Sequence, residues 1–371
     1  MNNTVLIIGG YGNFGRFIST ELAKTSGIKL VIAGRNVSKA QALIQQLKTS
    51  PKTCAQIEAC ELNIYHNLAE RLATLKPTVV IHTSGPFQNQ TYHVAEACIQ
   101  VGAHYIDLAD ARQFVADIAD LDKAAKAKNV LVCAGASSVP ALTSAIIDNY
   151  LPMFDQLESV DYAIATAQLT NQGLATTAAV LSYAGKPFSQ LKAGKPHTVF
   201  GWLDTRRREF WQLGARLLGN CDIPDLALFP QRYPSIKNIR FQASLEVKLL
   251  HRCLAIFSGA VKLKLLPNIQ SWAKTLLGIS RLFDFLGHDN SGFYMALSGT
   301  CNAQPKTVLF EISAKHGDGL YIPCIPSILL TQKLLSGATT DRGAKACMGL
   351  ITLNEYLHAL EPLKIGWRET L

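Results

Sequence analysis

The sequence predicts an α/β protein with a doubly wound parallel sheet and a second α/β (α+β) domain that has a mainly antiparallel sheet. A strand, a glycine turn and a helix follow one another at the amino end, and strand-like and helix-like segments then alternate through the first third. Later strand-like runs alternate apolar with polar residues. At 371 residues the chain exceeds what one hydrophobic core usually organises, so two domains are expected.

The glycine turn is the most informative motif. The apolar run 5–8 leads into Gly-Gly-Tyr-Gly-Asn-Phe-Gly at 9–15 and then into a helix-like stretch, 16–24. Three of the glycines fit G-x-G-x-x-G, which is typical of a Rossmann-type dinucleotide-binding unit, although such turns also occur for structural reasons alone. Phosphates would lie at the positive end of the helix. The candidate binding residues here are Gly10, Tyr11, Gly12, Asn13, Phe14 and Gly15.

The end of the second strand-like run, Lys29 to Ala33, indicates which nucleotide binds. It continues into Gly34, Arg35 and Asn36, where a site for NAD would carry an acidic side chain for the ribose 2′-hydroxyl. A guanidinium suits a 2′-phosphate, which a carboxylate would repel. We therefore expect NADP (NADPH), with a solvated loop arginine as the alternative.

The remaining elements of the first domain are short apolar runs, as expected for parallel strands buried on both faces. The predicted strands are 57–62, 79–83, 104–108 and 130–133, and the predicted helices are 39–47, 92–101 and 114–128. Ligands bind at the carboxyl ends of such strands. This directs attention to Ser84, Gly85 and Pro86 after the fourth strand and to Asp107 at the end of the fifth.

Composition limits the function classes. The net charge is +9, but the only dense basic run is 206–208, so we expect a binder of anionic small molecules and no nucleic acid. Nine cysteines without a C-x-x-C pair indicate free thiols in a reducing compartment and no metal site. With a core strand from Val5 and no spanning apolar stretch, we expect no leader segment and a cytoplasmic protein.

These segments together resemble the NADP-binding domain of the saccharopine dehydrogenase-like oxidoreductases. The resemblance is carried by the glycine turn, by Ala-Gly-Arg at 33–35, by Ser-Gly-Pro-Phe at 84–87 and by Gly-Ala-His-Tyr-Ile-Asp-Leu at 102–108. It implies an NADP-linked oxidoreductase over most of the chain. The family commonly has an aspartate near the adenine after the third strand, and this chain has Asn63 there, whose amide can still hydrogen-bond. Basic residues typical of enzymes acting on saccharopine itself are not matched.

Three residues are candidates for catalysis. Tyr105 and Asp107 point to the same side of a strand because side chains alternate, so the phenol could donate a proton while the carboxylate orients it or a ribose hydroxyl. If that side faces helices, both are ordinary buried polar groups. Arg216 could anchor a substrate carboxylate or phosphate, or could form a surface salt bridge.

The predicted second domain spans 131–344 and is expected to bind substrate and to form a homodimer contact. Its predicted strands are 160–165, 197–203, 239–247, 293–298 and 307–314, and its predicted helices are 140–150 and 176–184. A capping box at Thr352 to Glu355 predicts a final helix. The resemblance implies that residues 345–371 complete a cofactor domain formed by residues 1–130.

Residues 248–282 form a basic segment with many leucines and no acidic residue. Such a segment could lie on an anionic membrane surface, cover an apolar substrate, or pack against its own domain or a partner subunit.

The sequence thus predicts an NADP-dependent oxidoreductase that acts on a small molecule, either an imine or amino acid-like compound or an enoyl or lipid-like one. The alternative is a non-catalytic NADP-binding redox sensor or membrane-associated scaffold, because no convincing acid–base pair is present.

Overall fold

The computed structural model of the protein describes residues 3–88, 90–170 and 173–371. The chain divides into two compact units. The first unit comprises residues 1–144 and 321–356, and the second comprises residues 145–320 and 357–371.

The first unit contains a seven-stranded sheet in which every paired neighbour is parallel. Its strands are β1 (Asn3–Ile8), β2 (Ile28–Gly34), β3 (Gln56–Glu61), β4 (Val79–His82), β5 (His104–Asp107), β6 (Leu131–Ala134) and β15 (Gly343–Ala346). They lie in the order β15-β6-β5-β4-β1-β2-β3. The apolar runs of β1 and β4 are buried because both faces of the sheet are covered. The predicted Rossmann-type sheet is confirmed.

The helices of this unit are α1 (Asn13–Leu22), α2 (Val37–Lys48), α3 (Leu68–Leu75), α4 (His93–Val101), α5 (Arg112–Ala116), α6 (Asp122–Ala127) and α12 (Ile325–Ser336). Of these helices, α1, α2, α4 and α5 begin close to predicted positions, whereas α3 and α12 were not predicted. The single helix predicted over 114–128 is wrong, because a 3₁₀ turn at Asp117–Leu121 separates α5 from α6. Alanine-rich composition favoured a helix but could not show this tightening of the backbone.

The second unit contains another seven-stranded sheet, which is antiparallel except for one pair. Its strands are β7 (Gln156–Ala165), β10 (Arg206–Phe210), β11 (Gly214–Asn220), β12 (Asn238–Ser244), β13 (Ser291–Cys301), β14 (Gln304–Ala314) and β16 (Ile365–Thr370). The order is β10-β11-β12-β7-β13-β14-β16, and β7 and β12 run parallel. β8 (Pro187–Lys192) and β9 (Lys195–Phe200) form a separate hairpin. The predicted mainly antiparallel sheet is confirmed.

The helices of the second unit lie mostly in its longer segment. Those that lie wholly within it are α8 (Leu174–Ser182), α9 (Asp225–Arg232), α10 (Lys248–Lys262) and α11 (Ala273–Arg281). α7 (Thr143–Tyr150) and α13 (Leu353–Leu360) each contain a boundary between the units.

The capping box forms as the sequence predicts. The Thr352 N–H donates to Glu355 Oε2 at 2.8 Å, and the Glu355 N–H donates to Thr352 Oγ1 at 3.2 Å. Both donors would otherwise lack partners at the start of α13.

The predicted domain boundaries at residues 130 and 345 differ from the units of the structure. β6 follows residue 130, yet it pairs with β5 in the parallel sheet. The carboxyl-terminal strand β16 pairs with β14 in the second sheet. The first unit therefore includes residues 321–356, and residues 357–371 belong to the second unit.

Candidate dinucleotide-binding site

The glycine turn after β1 is held tightly by backbone hydrogen bonds. The Gly9 and Gly10 N–H groups donate to the Ala33 carbonyl at 2.8 and 3.3 Å, and the Gly12 N–H donates to the Gly9 carbonyl at 2.8 Å. A Cβ atom on Gly15 would lie 2.2 Å from the same Gly9 oxygen, so a side chain there would push the helix away from the turn. The third glycine thus has the packing role that the motif predicts.

The start of α1 provides an environment for an anion. Gly12 precedes the helix in an extended conformation, with φ −72° and ψ 179°, and the first turn contains no acidic residue. A Cβ atom on Gly12 would meet the Gly9 oxygen at 3.2 Å and no other atom within 4 Å, so the space beside Gly12 is open. The helix dipole favours negative charge at this end. Asn13 and Phe14 form the first turn, and the Phe14 carbonyl accepts a hydrogen bond from Cys324 Sγ at 3.7 Å.

Tyr11 links this turn to the end of β2. Its ring lies against Gly34, where a Cβ atom would be 2.5 Å from the Tyr11 oxygen, and its hydroxyl accepts a hydrogen bond from the Asn36 N–H at 2.9 Å. Asn36 in turn caps α2 by accepting from the Lys39 N–H at 3.1 Å. Arg35 lies between these two fixed residues and is exposed; within the described residues its guanidinium has no hydrogen bond or ion pair. It therefore remains available for a ligand.

The turn after β4 lies directly beside the glycine turn. A Cβ atom on Gly9 would be 2.6 Å from Ser84 Oγ and 2.7 Å from Thr83 Oγ1. The Gln90 side chain donates to the Ser84 and Pro86 carbonyls at 2.8 and 3.0 Å and so braces the segment that includes Gly85. Sequence reasoning selected Ser84, Gly85 and Pro86 but missed Thr83 and Gln90. Thr83 could have been selected because it directly follows β4; Gln90 carries no local signal.

Asn63 lies in the turn after β3. Its Oδ1 accepts from the Tyr65 N–H at 3.1 Å, so the carbonyl oxygen of this amide holds the turn, and contact of its amide nitrogen with an adenine remains a prediction. Tyr65 is exposed and stacks on His93, with 5.3 Å between ring centroids.

Tyr105 and Asp107 both lie in the interior, with 1% and 0% of their surfaces exposed. The Tyr105 hydroxyl lies 3.1 Å from His82 Nδ1, and Asp107 Oδ1 accepts from the Ala109 and Gly135 N–H groups at 2.9 and 2.8 Å. Burial raises the pKa of Asp107 to about 6 against these two donors, and burial lowers the pKa of His82 to about 3. The geometry corresponds to the alternative of buried polar groups, and a catalytic role for either residue remains a prediction.

Arg216, in the second unit, is paired rather than free. Its guanidinium donates to Glu246 Oε1 at 3.2 Å and to the Leu213 carbonyl at 3.0 Å. The side chains of Arg216 and Glu246 are 12% and 5% exposed, so this is a largely buried pair and not a surface one. Glu246 also accepts from the Gln168 and His288 N–H groups at 2.8 and 2.9 Å. An anchoring role for Arg216 would require this pair to open and remains a prediction.

Residues 5–133 match the family model described as the saccharopine dehydrogenase NADP binding domain. This part of the chain is a nicotinamide cofactor-binding domain of the saccharopine dehydrogenase type. The match confirms the predicted saccharopine dehydrogenase-like family over these residues, and with it the predicted class of enzyme, an oxidoreductase. It does not specify a substrate. A comparison with curated proteins by sequence gives no match.

Two solved structures show the extent of the shared fold. Saccharopine dehydrogenase (L-Glu forming) from Saccharomyces cerevisiae is 13% identical, with a TM-score of 0.68 and coverage of 100% of both chains. An amine dehydrogenase from Mycobacterium smegmatis is 10% identical, with a TM-score of 0.51 and coverage of 93% of this chain and 94% of the other. Because both sequence identities are low, these similarities show the fold alone. The saccharopine dehydrogenase-like fold covers the whole chain.

The described residues contain neither a metal cluster nor a membrane-spanning helix. Across residues 3–88, 90–170 and 173–371, no group of three His, Cys, Asp or Glu side chains could hold a metal ion. In the same ranges, every helix is too short or too polar to cross a bilayer.

Proposed function

We propose that this protein is an NADP-dependent oxidoreductase that transfers a hydride between C4 of the nicotinamide and a small-molecule substrate. The observation that carries the proposal is the exposed guanidinium of Arg35, which has no hydrogen bond or ion pair within the described residues. It lies next to a glycine turn at the positive end of α1. These two features would neutralise the 2′-phosphate and the pyrophosphate of one dinucleotide.

Charge favours NADP over NAD. Arg35, Asn36 and Val37, which follow β2, include no carboxylate that could accept hydrogen bonds from a free ribose 2′-hydroxyl. An arginine can instead donate two parallel hydrogen bonds to a phosphate. Tyr11 and Asn36 fix the backbone on both sides of Arg35, which limits the entropy lost when the guanidinium is ordered.

The turn after β4 would hold the nicotinamide half. Pro86 restricts the backbone, and the Gln90 amide braces the carbonyls of Ser84 and Pro86. When bound, the nicotinamide supplies the hydride chemistry, while the protein orients the ring and excludes water. Ser84 and Gly85 are the residues we propose to line it.

The cofactor proposal is tested by titrating the purified protein with NADPH and with NADH. We expect tighter binding of NADPH, and Arg35→Ala to weaken it by about 10- to 150-fold, the equivalent of losing a charge-assisted hydrogen bond of about 1.5–3 kcal/mol. Lys48→Ala, an exposed cation at the other end of α2, is the matched control and should change little. Equal or tighter binding of NADH, or an unchanged preference in Arg35→Ala, would contradict the proposal.

For the substrate we propose two classes. An imine or amino acid-like compound is favoured by the names of the two similar enzymes, a saccharopine dehydrogenase and an amine dehydrogenase. An enoyl or lipid-like compound is the other class. Oxidation of NADPH is measured with a panel of cyclic imines and, separately, with a panel of enoyl thioesters. Either reduction consumes one NADPH and one proton per double bond, so the panel that gives activity identifies the class. Activity with neither panel would exclude both classes.

A redox sensor without turnover is the second candidate function. The observation that favours it is that Tyr105, Asp107 and Arg216 all have protein partners. NADPH binding without oxidation of NADPH by either panel would support the sensor. The expected homodimer and cytoplasmic location remain predictions, which sedimentation velocity and cell fractionation test.

A further inference from the structure

The basic segment 248–282 and the residues just after it carry most of the large apolar side chains that are exposed in the described part of the chain. Together with the four residues that follow it, the segment spans residues 248–286 and contains α10, a 3₁₀ turn at Ile269–Trp272, α11 and a 3₁₀ turn at Asp284–Leu286. Thirteen large apolar side chains are exposed in the described part of the chain, and nine of them lie here: Leu249, Ile256, Leu263, Leu265, Trp272, Ile279, Leu282, Phe285 and Leu286. This concentration in about a tenth of the chain marks an interaction surface.

α10 is anchored by one face and exposes apolar residues on the other. His251, Leu254 and Ser258 form its buried face, and His251 packs edge-on against Trp202 with 5.7 Å between ring centroids. Leu249, Ile256 and Leu263 repeat at intervals of seven residues, so they lie on one stripe of the helix, roughly opposite the buried face. Leu263 is 68% exposed. The packing needs of α10 are therefore met without these leucines and isoleucine.

α11 likewise buries a small residue and exposes large apolar ones. Ala273 is buried, and the carbonyl of Ser280 accepts from Gln168 Nε2 at 2.9 Å, which fixes the end of the helix on the second unit. Ile279 and Leu282 point away from Ala273 by helical spacing, and Leu282 is 72% exposed. A helix that turns its large apolar residues to solvent lacks its partner.

The charge of the segment indicates the partner. Residues 247–283 contain six Lys or Arg and no Asp or Glu. The carboxylates that flank this stretch are used inside the protein: Glu246 binds Arg216, and Asp284 accepts from Gln168 Nε2 at 2.8 Å. Of the six cations, Lys262 lies over the Phe200 ring at 4.1 Å. The others present an uncompensated positive charge beside the apolar side chains.

We propose that residues 248–286 dock this protein onto an anionic lipid bilayer. The exposed leucines, Trp272 and Phe285 would enter the interface between headgroups and acyl chains, while the Lys and Arg side chains bind anionic headgroups. A second copy of the chain fits less well, because a symmetric contact would bring these cations against one another without a compensating carboxylate. A nucleic acid would satisfy the charge but leave the apolar side chains in water.

The proposal is tested by sedimentation of the full chain with vesicles at low salt. We expect binding to vesicles of phosphatidylcholine with phosphatidylserine, and weak binding to phosphatidylcholine alone. Lys264→Gln with Lys274→Gln should lower the partition coefficient by about 25-fold, at about a factor of five for each cation near the surface. Leu265→Ser with Phe285→Ser should lower it by about tenfold or more.

Matched controls lie in the same unit but outside the segment. Lys192→Gln with Lys195→Gln removes two exposed cations of the β8–β9 hairpin, and Leu371→Ser removes an exposed leucine that is 61% accessible. Both should bind vesicles like the unaltered protein. Because all substituted side chains are exposed, each variant should fold, which thermal unfolding checks.

Three results would overturn the proposal. The first is no sedimentation with the anionic vesicles. The second is vesicle binding that the segment variants leave unchanged. The third is a protein that does not bind vesicles but forms a dimer, and whose dimer dissociates when Leu265→Ser and Phe285→Ser are introduced. That result would assign the surface to a second copy. NADPH titration of the same variants keeps this test separate from that of the cofactor proposal.

Discussion

Replacing Asp107 by asparagine measures the electrostatic cost of a buried carboxylate in the cofactor-binding unit. Asp107 has 0% of its surface exposed and receives two backbone hydrogen bonds on Oδ1, from Ala109 and Gly135. The Tyr105 hydroxyl also favours the charged form of this carboxylate, although less than the two backbone donors do. Burial outweighs these donors and raises the pKa from 3.8 to about 6. Asparagine keeps the acceptor oxygen and carries no charge.

The magnitude and sign follow from linkage. The pKa of the folded state lies above that of the unfolded state, so the contribution of Asp107 to stability is fully present below the unfolded value and is lost as pH rises through about 6. A rise from 3.8 to about 6 corresponds to about 3 kcal/mol, at about 1.36 kcal/mol for each pKa unit. The Asp107→Asn variant is not subject to this loss, because an amide does not ionise in this range.

The assay is urea unfolding of the unaltered protein and of Asp107→Asn between about pH 4 and pH 8. The difference in unfolding free energy should shift in favour of the variant by about 3 kcal/mol as pH rises. Asp122→Asn is a control of opposite sign, because a hydrogen bond from Lys126 lowers the pKa of Asp122. A difference that stays flat across the series, or that moves against Asp107→Asn, would refute this account of the site.

Three further predictions concern single contacts. Gly15→Ala should weaken NADPH binding more than about tenfold in a fluorescence titration, because the new Cβ would lie 2.2 Å from a backbone oxygen of the glycine turn; unchanged affinity would show that the turn adapts. Thr352→Ala should lower the free energy of unfolding by about 1 kcal/mol in urea, since it removes the cap of α13. Burial lowers the pKa of His251 from 6.5 to about 4, so its contribution to stability is present above about pH 6.5 and is lost as pH falls toward 4. His251→Gln should reduce the loss of stability in acid, and an acid-unfolding curve identical to that of the unaltered protein would contradict this.

The cofactor-binding unit could be predicted well because its determinants are local in sequence. Parallel strands buried on both faces are unbroken apolar runs, and the glycines of the turn mark where β1 ends and α1 begins. Arg35 and Ser84 could be placed at one edge of the sheet because parallel strands end at the same edge. Local patterns of this kind do not depend on what the rest of the chain does.

The catalytic candidates could not be resolved in the same way. Alternation shows that Tyr105 and Asp107 share a side of β5, but whether that side faces a ligand depends on β4, which places His82 against Tyr105. The partner of Arg216 is Glu246, on another segment, and no periodicity links the two. β15 was missed for a related reason: its sequence has no strand pattern, and it is a strand because the edge of β6 supplies hydrogen bonds.

α10 shows how a distant residue decides which face of a helix is buried. Periodicity alone would bury the stripe of Leu249, Ile256 and Leu263, since large apolar residues at helical spacing usually face the core. The structure instead packs the Ser258 side, because Gly185 has no side chain: a Cβ atom there would lie 2.2 Å from the Ser258 carbonyl oxygen. Close approach of the two backbones excludes bulky leucines from that contact, and the apolar stripe remains exposed. Gly185→Ala should therefore loosen α10 from its own unit while leaving the exposed stripe, and with it vesicle binding, in place.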